Sequence, residues 1–251
     1  MKENSMNVFV TGGSRGIGRS IVLKLAAEGA NVAFTYVSNS SEAEETVRLA
    51  KVSAKDATVT AHQLDVRYSS EVERVVDEVI ETLGTVHAVV NNAALLRNNA
   101  AALMSDDEWD EVIAANLSGP FYVIRAFLMH FLSERNGRII NISSLAQDGA
   151  SGQINYASSK AGLIGLTKSI AREYGAKGIT CNIVTVGLVE TDMVRDNMSQ
   201  ELADIWLQYC PMKRLGTPEE IASLVHYLAG KDAGFINGEV IRVSGGLTYV
   251  P

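Results

Sequence analysis

A tyrosine and a lysine four residues apart, Tyr156 and Lys160, form the pair in this sequence best suited to moving a proton. Residues with this spacing share one face of a helix, so the ammonium group would lie beside the phenol. A neighbouring cation, together with the cationic ring of an oxidised nicotinamide, would lower the phenol's pKa from its usual value of about 10. The tyrosine could then act as general acid in ketone reduction, or as base in the reverse reaction. The same pair also arises by chance on exposed helices.

Two further polar residues could complete such a site. Ser144 follows an apolar run, where its hydroxyl could hydrogen-bond a substrate carbonyl oxygen. The alternative for Ser144 is a cap at the end of a strand. Asn116 lies within a helical pattern, where its amide could bond the backbone or hold a water molecule. The alternative for Asn116 is a kink in the helix.

A glycine-rich turn near the start of the sequence predicts a phosphate-binding site. It follows a short apolar run and precedes a helical pattern, a place where backbone N–H groups and the helix dipole favour a pyrophosphate. The glycine spacing differs from the G-x-G-x-x-G fingerprint, and the alternative is a tight strand-to-helix connection without a ligand. The candidate contacts in this turn are Gly12, Ser14, Arg15, Gly16, Ile17 and Gly18.

The end of the second predicted strand bears on the choice between NAD and NADP. An acidic residue there would bind the ribose 2′-OH of NAD and repel a 2′-phosphate, but residues 35–39 are uncharged and include Tyr36 and Ser38. Arg15 could pair with the phosphate through charge-assisted hydrogen bonds, or it could be a solvated turn residue. Glu42 lies farther along, in the next helix, and we do not count it against NADP. The pattern favours NADPH as the reduced cofactor.

Polar and small residues follow the third and fourth predicted strands. Asp65 and Val66 come after the third strand, and Asn92, Ala93 and Ala94 come after the fourth. Ligands bind outside the carboxyl ends of strands in open α/β sheets, so we predict cofactor contacts at these residues. The alternative is that the short polar side chains only form turns.

Short apolar segments alternate with helical patterns along the whole sequence. Nearly all-apolar strands are typical of parallel sheets covered on both faces, and their alternation with helices favours right-handed crossovers. We therefore predict an α/β fold: a single Rossmann-type, doubly wound parallel sheet of about seven strands with helices on both faces. The predicted strands are residues 7–10, 31–37, 58–64, 86–91, 138–142, 179–185 and 239–243, and the predicted helices include residues 69–83, 106–116, 120–132, 155–174 and 218–229.

The 251 residues are predicted to form one domain, because α/β folds of this length often do and no linker divides the sequence. Residues 187–216 are the least regular stretch. They could form a lid over a ligand, or a surface excursion with its own small core. The sequence favours neither alternative.

Composition narrows the class of function. A net charge of −7 without clustered Lys and Arg disfavours a nucleic-acid partner. No apolar signal segment stands at the start, and no uninterrupted apolar run approaches the ~20 residues of a membrane helix, so we expect a cytoplasmic protein without a membrane partner. Cys181 and Cys210 are predicted to be reduced structural thiols, and no metal site is predicted.

These motifs together resemble the short-chain dehydrogenase/reductase family, and the resemblance extends over nearly the whole chain. The family's glycine turn is similar to residues 11–18, and its Asn-Asn-Ala-Gly signature is similar to residues 91–94. Its four catalytic residue types match Asn116, Ser144, Tyr156 and Lys160.

The resemblance implies a role for each member of this catalytic set. Tyr156 would be the general acid, and Lys160 would lower its pKa and bind the nicotinamide ribose. Ser144 would orient the substrate carbonyl, and Asn116 would hold a water of a proton relay.

Within the family, the chain looks most like the β-ketoacyl-acyl-carrier-protein reductases. The similar segments are residues 107–109, 116–118, 138–144, 157–162, 235–239 and 243–246. This likeness implies an NADPH-dependent ketoreductase of fatty acid or polyketide biosynthesis, and a homotetramer joined largely through its long helices. The loop that contains Gly187, Val189 and Thr191 would cover the nicotinamide.

The sequence departs from the family pattern at three places. Ala94 replaces the signature glycine, which would crowd the backbone if a positive φ were needed. Val186 stands where proline is usual before Gly187, so the cofactor loop would be less rigid. The spacing from Ser144 to Tyr156 is one residue shorter than usual, and Ser143 is therefore an alternative to Ser144.

The substrate is open at the level of sequence. Acidic carrier proteins dock on basic patches, and Arg172 matches one such family position, whereas Met129 stands where another basic residue is usual. A coenzyme A thioester, a sugar, a steroid or a small alcohol are alternatives with the same chemistry. A non-catalytic nucleotide-binding subunit is an alternative from another class, and the intact catalytic set argues against it.

Overall fold

The computed structural model describes residues 5–54, 56–191, 194 and 199–250 of the chain. Seven strands form one sheet: β1 (Asn7–Val10), β2 (Asn31–Tyr36), β3 (Val59–Gln63), β4 (Ala88–Asn91), β5 (Gly137–Ser144), β6 (Ile179–Val186) and β7 (Val240–Val243). Their order is β3-β2-β1-β4-β5-β6-β7, and every neighbouring pair is parallel. The predicted doubly wound sheet is confirmed.

Eight α-helices connect or flank these strands in the described part of the chain. They are α1 (Gly16–Ala27), α2 (Ser40–Ser53), α3 (Ser69–Leu83), α4 (Asp106–Ile113), α5 (Gly119–Glu134), α6 (Ile154–Tyr174), α7 (Gln200–Tyr209) and α8 (Pro218–Ala229). The bounds of α3 and α8 agree with the sequence prediction. Strand β5 extends beyond its predicted end at residue 142 and finishes at Ser144.

Successive residues of each strand enter opposite core layers. In β1, Val8 and Val10 belong to the layer formed with α1, α2 and α8, whereas Phe9 belongs to the layer formed with α3, α5 and α6. All three side chains are fully buried. This alternation is the period of two that a pleated strand imposes, and here both faces are covered, which explains why the strands are nearly all apolar.

The helices bury one apolar stripe each. In α3, the valines recur at intervals of three and four residues, and all of them are buried: Val72, Val75, Val76 and Val79. This spacing keeps the valines on the face that meets the sheet, with charged residues on the other face. The buried valines therefore place α3 against the sheet over the range that the sequence predicts.

Helices α4 and α5 form one long stretch with a π-helical turn, Ala114–Ser118, between them. By length and mean hydropathy, residues 106–134 are apolar enough to cross a membrane, a property that we did not expect from the sequence. The inner face of this stretch packs in the core through Val123, Phe127 and Phe131. This inner face therefore packs as that of a helix in the protein core.

The order of the strands reverses at β1, which pairs with β2 on one side and β4 on the other. The segments that leave β1 and β4 therefore diverge at the carboxyl edge of the sheet and leave a crevice between them. The glycine turn leaves β1 and residues 92–94 leave β4. The topology thus places both predicted cofactor motifs at the border of one crevice.

Replacement of Phe127 tests the core beneath this edge. Its ring is fully buried, with centroids 5.2 Å from Phe9 and 5.8 Å from Phe131. We expect Phe127→Ala to lower the free energy of unfolding by about 3–5 kcal/mol because it leaves a cavity. Urea unfolding at fixed protein concentration measures the change.

Phe235→Ala is the matched control, because the Phe235 ring is fully exposed in the chain. That variant should change the unfolding free energy by less than about 0.5 kcal/mol. Similar losses in the two variants would contradict the packing described here.

Candidate active site

The crevice is the mouth of a cavity of about 1060 Å³ at the carboxyl edge of the sheet. This volume suits a dinucleotide with a substrate, since pockets of ~300–1,000 Å³ enclose small ligands. The structure brings most predicted site residues together here: Gly12, Ser14, Arg15, Gly16, Ile17, Gly18, Tyr36, Ser38, Val66, Asn92, Ala93, Ala94, Ser144, Tyr156, Lys160, Gly187, Val189 and Thr191 all line the cavity. Asp65 and Asn116 do not line it.

The glycine turn depends on the absence of side chains at three positions. Gly12 and Gly16 have φ angles of 68° and 53°, a region that favours glycine. A Cβ on Gly12 would lie 3.0 Å from the Cα of Ala93, and a Cβ on Gly18 would overlap the carbonyl oxygen of Gly12. The backbone is therefore free to approach a ligand closely at the start of α1, which fits a pyrophosphate cradle.

Hydrogen bonds fasten this turn to the end of β4. The Asn92 side chain donates to the carbonyl oxygens of Thr11 (3.0 Å) and Gly12 (2.9 Å). In return, the Thr11 hydroxyl accepts from the backbone N–H groups of Asn92 and Ala93, each at 3.0 Å. Asn92 was predicted as a cofactor contact, but its amide N–H group donates to backbone carbonyls of the glycine turn. Thr11 was missed, because a threonine at the end of a strand gives no signal of its own.

The far end of the cavity contains one charged group that we misjudged. Arg15, Tyr36 and Ser38 line this end, as predicted, but Glu42 lines it too. We set Glu42 aside because it stands in the next helix, yet from the first turn of α2 it lines the cavity. The Glu42 carboxylate forms an ion pair with Arg19.

Asp65 lies outside the cavity, contrary to our expectation of a cofactor contact there. Its carboxylate accepts from the Arg67 guanidinium, with Nε 3.0 Å from Oδ1 and Nη2 2.7 Å from Oδ2. Burial acts to raise the pKa of Asp65, but the hydrogen bonds from Arg67 outweigh it and hold that pKa below its usual value. The arginine two residues later thus turns the acid away from the cavity, and only its neighbour Val66 lines the cavity.

Tyr156 and Lys160 lie on the same face of α6, as their spacing predicts. The Lys160 Nζ is 5.5 Å from the centroid of the tyrosine ring and donates to the carbonyl oxygen of Ile142 at 2.9 Å. Ile142 belongs to β5, two residues before Ser144. One strand therefore anchors the ammonium group and also presents the candidate serine.

Burial controls the acidity of both groups. It raises the pKa of the Tyr156 phenol to about 12, although a hydrogen bond with Ser144 acts in the opposite direction. It lowers the pKa of the Lys160 ammonium to about 8. A lowered phenol pKa was expected from the sequence, where the lysine and a cationic nicotinamide were weighed but desolvation was not. The chain alone therefore holds a protonated tyrosine at neutral pH.

The structure separates Ser144 from the alternative, Ser143. The Ser143 hydroxyl is buried and donates to Gln147 Oε1 at 2.8 Å. The Ser144 hydroxyl oxygen accepts from the backbone N–H of Ala146 at 3.2 Å, so its proton remains available to another acceptor. Ser144 is also the serine that hydrogen-bonds Tyr156. The geometry therefore favours Ser144 as the member of the candidate set.

Asn116 lies in the π-helical turn and is completely buried. Its amide accepts from the backbone N–H of Leu95 (2.7 Å), and donates to the Leu95 carbonyl oxygen (2.9 Å) and the Ser159 hydroxyl (3.3 Å). The amide thus ties the segment after β4 to the helix that carries Tyr156. A role in holding a relay water stays a prediction.

The residues that depart from the family pattern after β4 and at the end of β6, Ala94 and Val186, fit without strain. Among the described residues, the only non-glycine positions with positive φ are Arg135 and Lys213, so Ala94 does not need the backbone conformation of a glycine. Val186 is the last residue of β6 and pairs with Ser144 and Val243. Valine in place of proline therefore continues the strand.

The sequence missed several other residues around the cavity. They are Leu96, Asn98, Asn99, Gln153 and, in helix α7, Leu202; Trp206 of the same helix also lines the cavity, in the stretch 187–216 that the sequence offered as a possible lid. The stretch that holds α7 is closed at its base by hydrogen bonds between the backbones of Leu188 and Gly216 (2.9 Å) and of Glu190 and Gly216 (3.0 Å). No repeat or spacing in the sequence marks these positions.

The sheet, the glycine turn and the pair of Tyr156 and Lys160 define a class of protein. The chain belongs to the short-chain dehydrogenase/reductase family, whose members use a nicotinamide cofactor. The family pattern that matches residues 12–248 is described as enoyl-(acyl carrier protein) reductase.

Its curated relatives point to one branch of this family. The chain is 42% identical over 242 residues to 3-oxoacyl-(acyl-carrier-protein) reductase FabG of Staphylococcus epidermidis, a match that covers 96% of this chain and 98% of that protein. The protein of the same name from Staphylococcus aureus is 43% identical, with 96% and 97% covered. That from Salmonella typhimurium is 41% identical over 243 residues, with the same coverage.

Solved structures agree with this assignment of the fold. Levodione reductase superposes with a TM-score of 0.93 at 32% identity, over 96% of each chain. A short-chain dehydrogenase/reductase from Serratia marcescens superposes with a TM-score of 0.90 at 35% identity, over 97% of this chain and 98% of that one.

Replacement of Asn116 tests its part in joining the segment after β4 to α6. Asn116→Ala leaves both backbone groups of Leu95 without their partner, and we expect it to lower the unfolding free energy by about 2–4 kcal/mol. Urea unfolding measures the loss. Asn98→Ala, at an exposed position of the cavity lining, is the control and should change stability by less than about 0.5 kcal/mol. Equal stability of the two variants would rule out the joining role.

Proposed function

We propose that this protein reduces a 3-oxoacyl thioester, carried by an acyl carrier protein, to the 3-hydroxyacyl thioester with NADPH. The observation that supports this most strongly is the grouping of Ser144, Tyr156 and Lys160 in one cavity beside a glycine cradle. The curated relatives, 41–43% identical over nearly their full length, are named for this reaction.

Several groups in the cavity support NADPH as the cofactor. The glycine turn offers backbone N–H groups to the pyrophosphate, and Arg15 offers a cation to the 2′-phosphate. The end of β2 has no acidic residue of its own to oppose that phosphate. Gly187, Val189 and Thr191 follow β6 and lie where they could contact the nicotinamide end.

The chain's own residues supply the proton and the orientation of the carbonyl. Bound NADPH supplies a hydride to the carbonyl carbon. Tyr156, whose pKa burial raises to about 12, stays protonated at neutral pH and can give its proton to the carbonyl oxygen. Ser144, whose hydroxyl hydrogen-bonds Tyr156, can turn to the same carbonyl oxygen when substrate is bound and stabilise its developing charge. Lys160, held by the Ile142 carbonyl, provides the nearby positive charge.

The proposal also specifies what carries the acyl chain of the substrate. Arg172 is exposed and suits an acidic carrier protein, whereas the exposed Met129 offers no charge. A coenzyme A thioester is the nearest alternative, and a sugar, a steroid or a small alcohol would use the same residues. The family description names enoyl reduction, so an enoyl thioester is also an alternative substrate.

Three further properties belong to this proposal. The chain acts as one domain in which the stretch 187–216 covers the substrate, a role supported by Leu202 and Trp206 in the cavity wall; residues 192, 193 and 195–198 of this stretch lie outside the described residues. It assembles as a homotetramer, a state supported by Phe121 and Met129, which are exposed on the outer face of α5. It works in the cytoplasm without a nucleic-acid or membrane partner.

Oxidation of NADPH with acetoacetyl-carrier protein tests the reaction directly. We expect turnover with this substrate, and less with acetoacetyl-coenzyme A, with NADH, or with crotonyl-carrier protein as an enoyl thioester. Absorbance of the reduced nicotinamide measures each rate. Faster turnover of the enoyl thioester would replace the proposal by enoyl reduction, and no turnover despite tight NADPH binding would favour a non-catalytic subunit.

Removal of the Tyr156 hydroxyl separates catalysis from binding. Tyr156→Phe should lower kcat about 10²-fold or more, because it deletes the general acid, while NADPH binding persists. Isothermal titration measures the binding and steady-state kinetics measure kcat. Tyr122→Phe, outside the cavity lining, is the matched control and should retain activity. Full activity in Tyr156→Phe would exclude the mechanism.

The pH dependence should follow Lys160. Its pKa of about 8 means that the ammonium is intact below that pH and is lost as pH rises through it, whereas Tyr156, near 12, remains protonated. We therefore expect kcat/KM for NADPH, which reports ionisations of the free enzyme, to fall above about pH 8. Lys160→Arg, which keeps its charge, should remove that fall. A flat profile to pH 10 in the unaltered protein would contradict the assigned role.

A further inference from the structure

Arg19, in the first turn of α1, joins the glycine turn to α2. Its guanidinium donates to the Ser14 carbonyl oxygen at 2.6 Å and to the Thr46 hydroxyl at 2.9 Å, and it pairs with the Glu42 carboxylate. It also donates to the backbone carbonyl of Glu42 at 3.1 Å. The Thr46 hydroxyl lies 3.1 Å from the same Ser14 oxygen. One arginine therefore fixes both the phosphate turn and the side chain of an acid.

Glu42, which Arg19 holds, faces the end of the cavity near the end of β2, where the 2′ substituent that distinguishes NADP from NAD is expected to bind. Glu42 lines that end together with Arg15 and Ser38. A free carboxylate near the end of the second strand binds the ribose 2′-OH of NAD and repels the 2′-phosphate of NADP. In this protein, Arg19 of α1 forms an ion pair with Glu42, so the carboxylate is not free.

We propose that Arg19 sets the preference for a 2′-phosphorylated cofactor by neutralising and holding Glu42. Arg19 does not line the cavity, so it is a positioning residue that acts through Glu42 and Ser14. Without Arg19, Glu42 becomes an unpaired carboxylate near Arg15 and Ser38, where the 2′ substituent is expected. The cavity then binds NAD better relative to NADP. The inference rests on the proposed use of NADPH.

Arg19 has two effects that an experiment can separate. Its bond to Ser14 shapes the turn that binds the pyrophosphate, a group that NADPH and NADH share, so loss of that bond weakens both cofactors equally. Its pair with Glu42 concerns only the 2′ substituent. Like charges brought together cost binding energy, so loss of the pair weakens the phosphorylated nucleotide selectively.

A double-mutant cycle with Arg19→Met and Glu42→Gln tests the proposal. Dissociation constants for NADPH, NADH, 2′,5′-ADP and ADP are measured by isothermal titration with the full chain, without any turnover. We expect Arg19→Met to weaken NADPH and 2′,5′-ADP about tenfold more than NADH and ADP. Glu42→Gln added to Arg19→Met should restore most of that selective loss, and Glu42→Gln alone should change the NADPH-to-NADH ratio by less than about threefold.

The matched control is Arg48→Met, which removes a cation from the same part of the molecule. Arg48 pairs with Glu45 on α2, and neither residue lines the cavity. This variant should leave the NADPH-to-NADH affinity ratio unchanged. A similar shift in Arg48→Met would mean that net charge, rather than the pair with Glu42, sets the ratio, and would overturn the proposal.

Two other outcomes also overturn it. If Arg19→Met weakens NADPH and NADH equally and Glu42→Gln restores nothing, Arg19 acts only on the glycine turn. If the unaltered protein binds NADH more tightly than NADPH, the proposed cofactor itself is wrong, a result that is seen before any variant is made. A cofactor preference that behaves as expected without turnover of a thioester would leave the inference standing and overturn only the substrate.

Discussion

The contact between the glycine turn and the end of β4 is the constraint on which the whole site depends. Thr11 and Asn92 exchange hydrogen bonds across it, and Gly12 can approach Ala93 closely because it has no side chain. This contact holds the two sides of the crevice at one separation. The cofactor cradle and the segment leading to Leu95 consequently share one rigid reference point.

Desolvation, rather than charge pairing, sets the chemistry at the other side of the cavity. Lys160 is buried and Tyr156 is half-buried in the cavity wall, and desolvation drives each toward its neutral form, with a pKa of about 12 for Tyr156 and about 8 for Lys160. A proton donor for carbonyl reduction must hold its proton until the substrate arrives. Burial of the phenol meets this need, and the strand carbonyl of Ile142 keeps the ammonium in place.

The fold could be predicted from the sequence because the local pattern of apolar residues reflects which side chains are buried. The predicted bounds of α3, which buries four valines at helical spacing, were correct, and apolar runs that end in glycine or asparagine gave the strands. Most cavity residues followed, since they stand just after strands and parallel strands end at one edge. Patterns do not record where a side chain points, however. Asp65 and Glu42 were misjudged for that reason: an arginine two residues later turns one aside, and a helix start turns the other inward.

The partners of Asn116 were inaccessible for a related reason. The π-helical turn that holds it rotates the chain by part of a turn relative to an α-helix, and helical spacing alone cannot reveal such a shift. Its contact with Leu95 and Ser159 joins segments 21 and 43 residues away. These long-range contacts form only in the folded protein, so the local sequence pattern does not reveal them.

The strand order has a consequence for how the protein folds. Strands β1 and β4 are neighbours, yet the bond between Asn92 and Thr11 closes a loop of 81 residues. Such long-range parallel pairing is slow, because the entropy of loop closure is lost before the contacts form. A chain emerging during synthesis can build the β1–β2–β3 half first, but its phosphate turn has no opposing wall until β4 docks. We therefore expect the capacity to bind nucleotide to appear late and abruptly, as a property of the completed sheet.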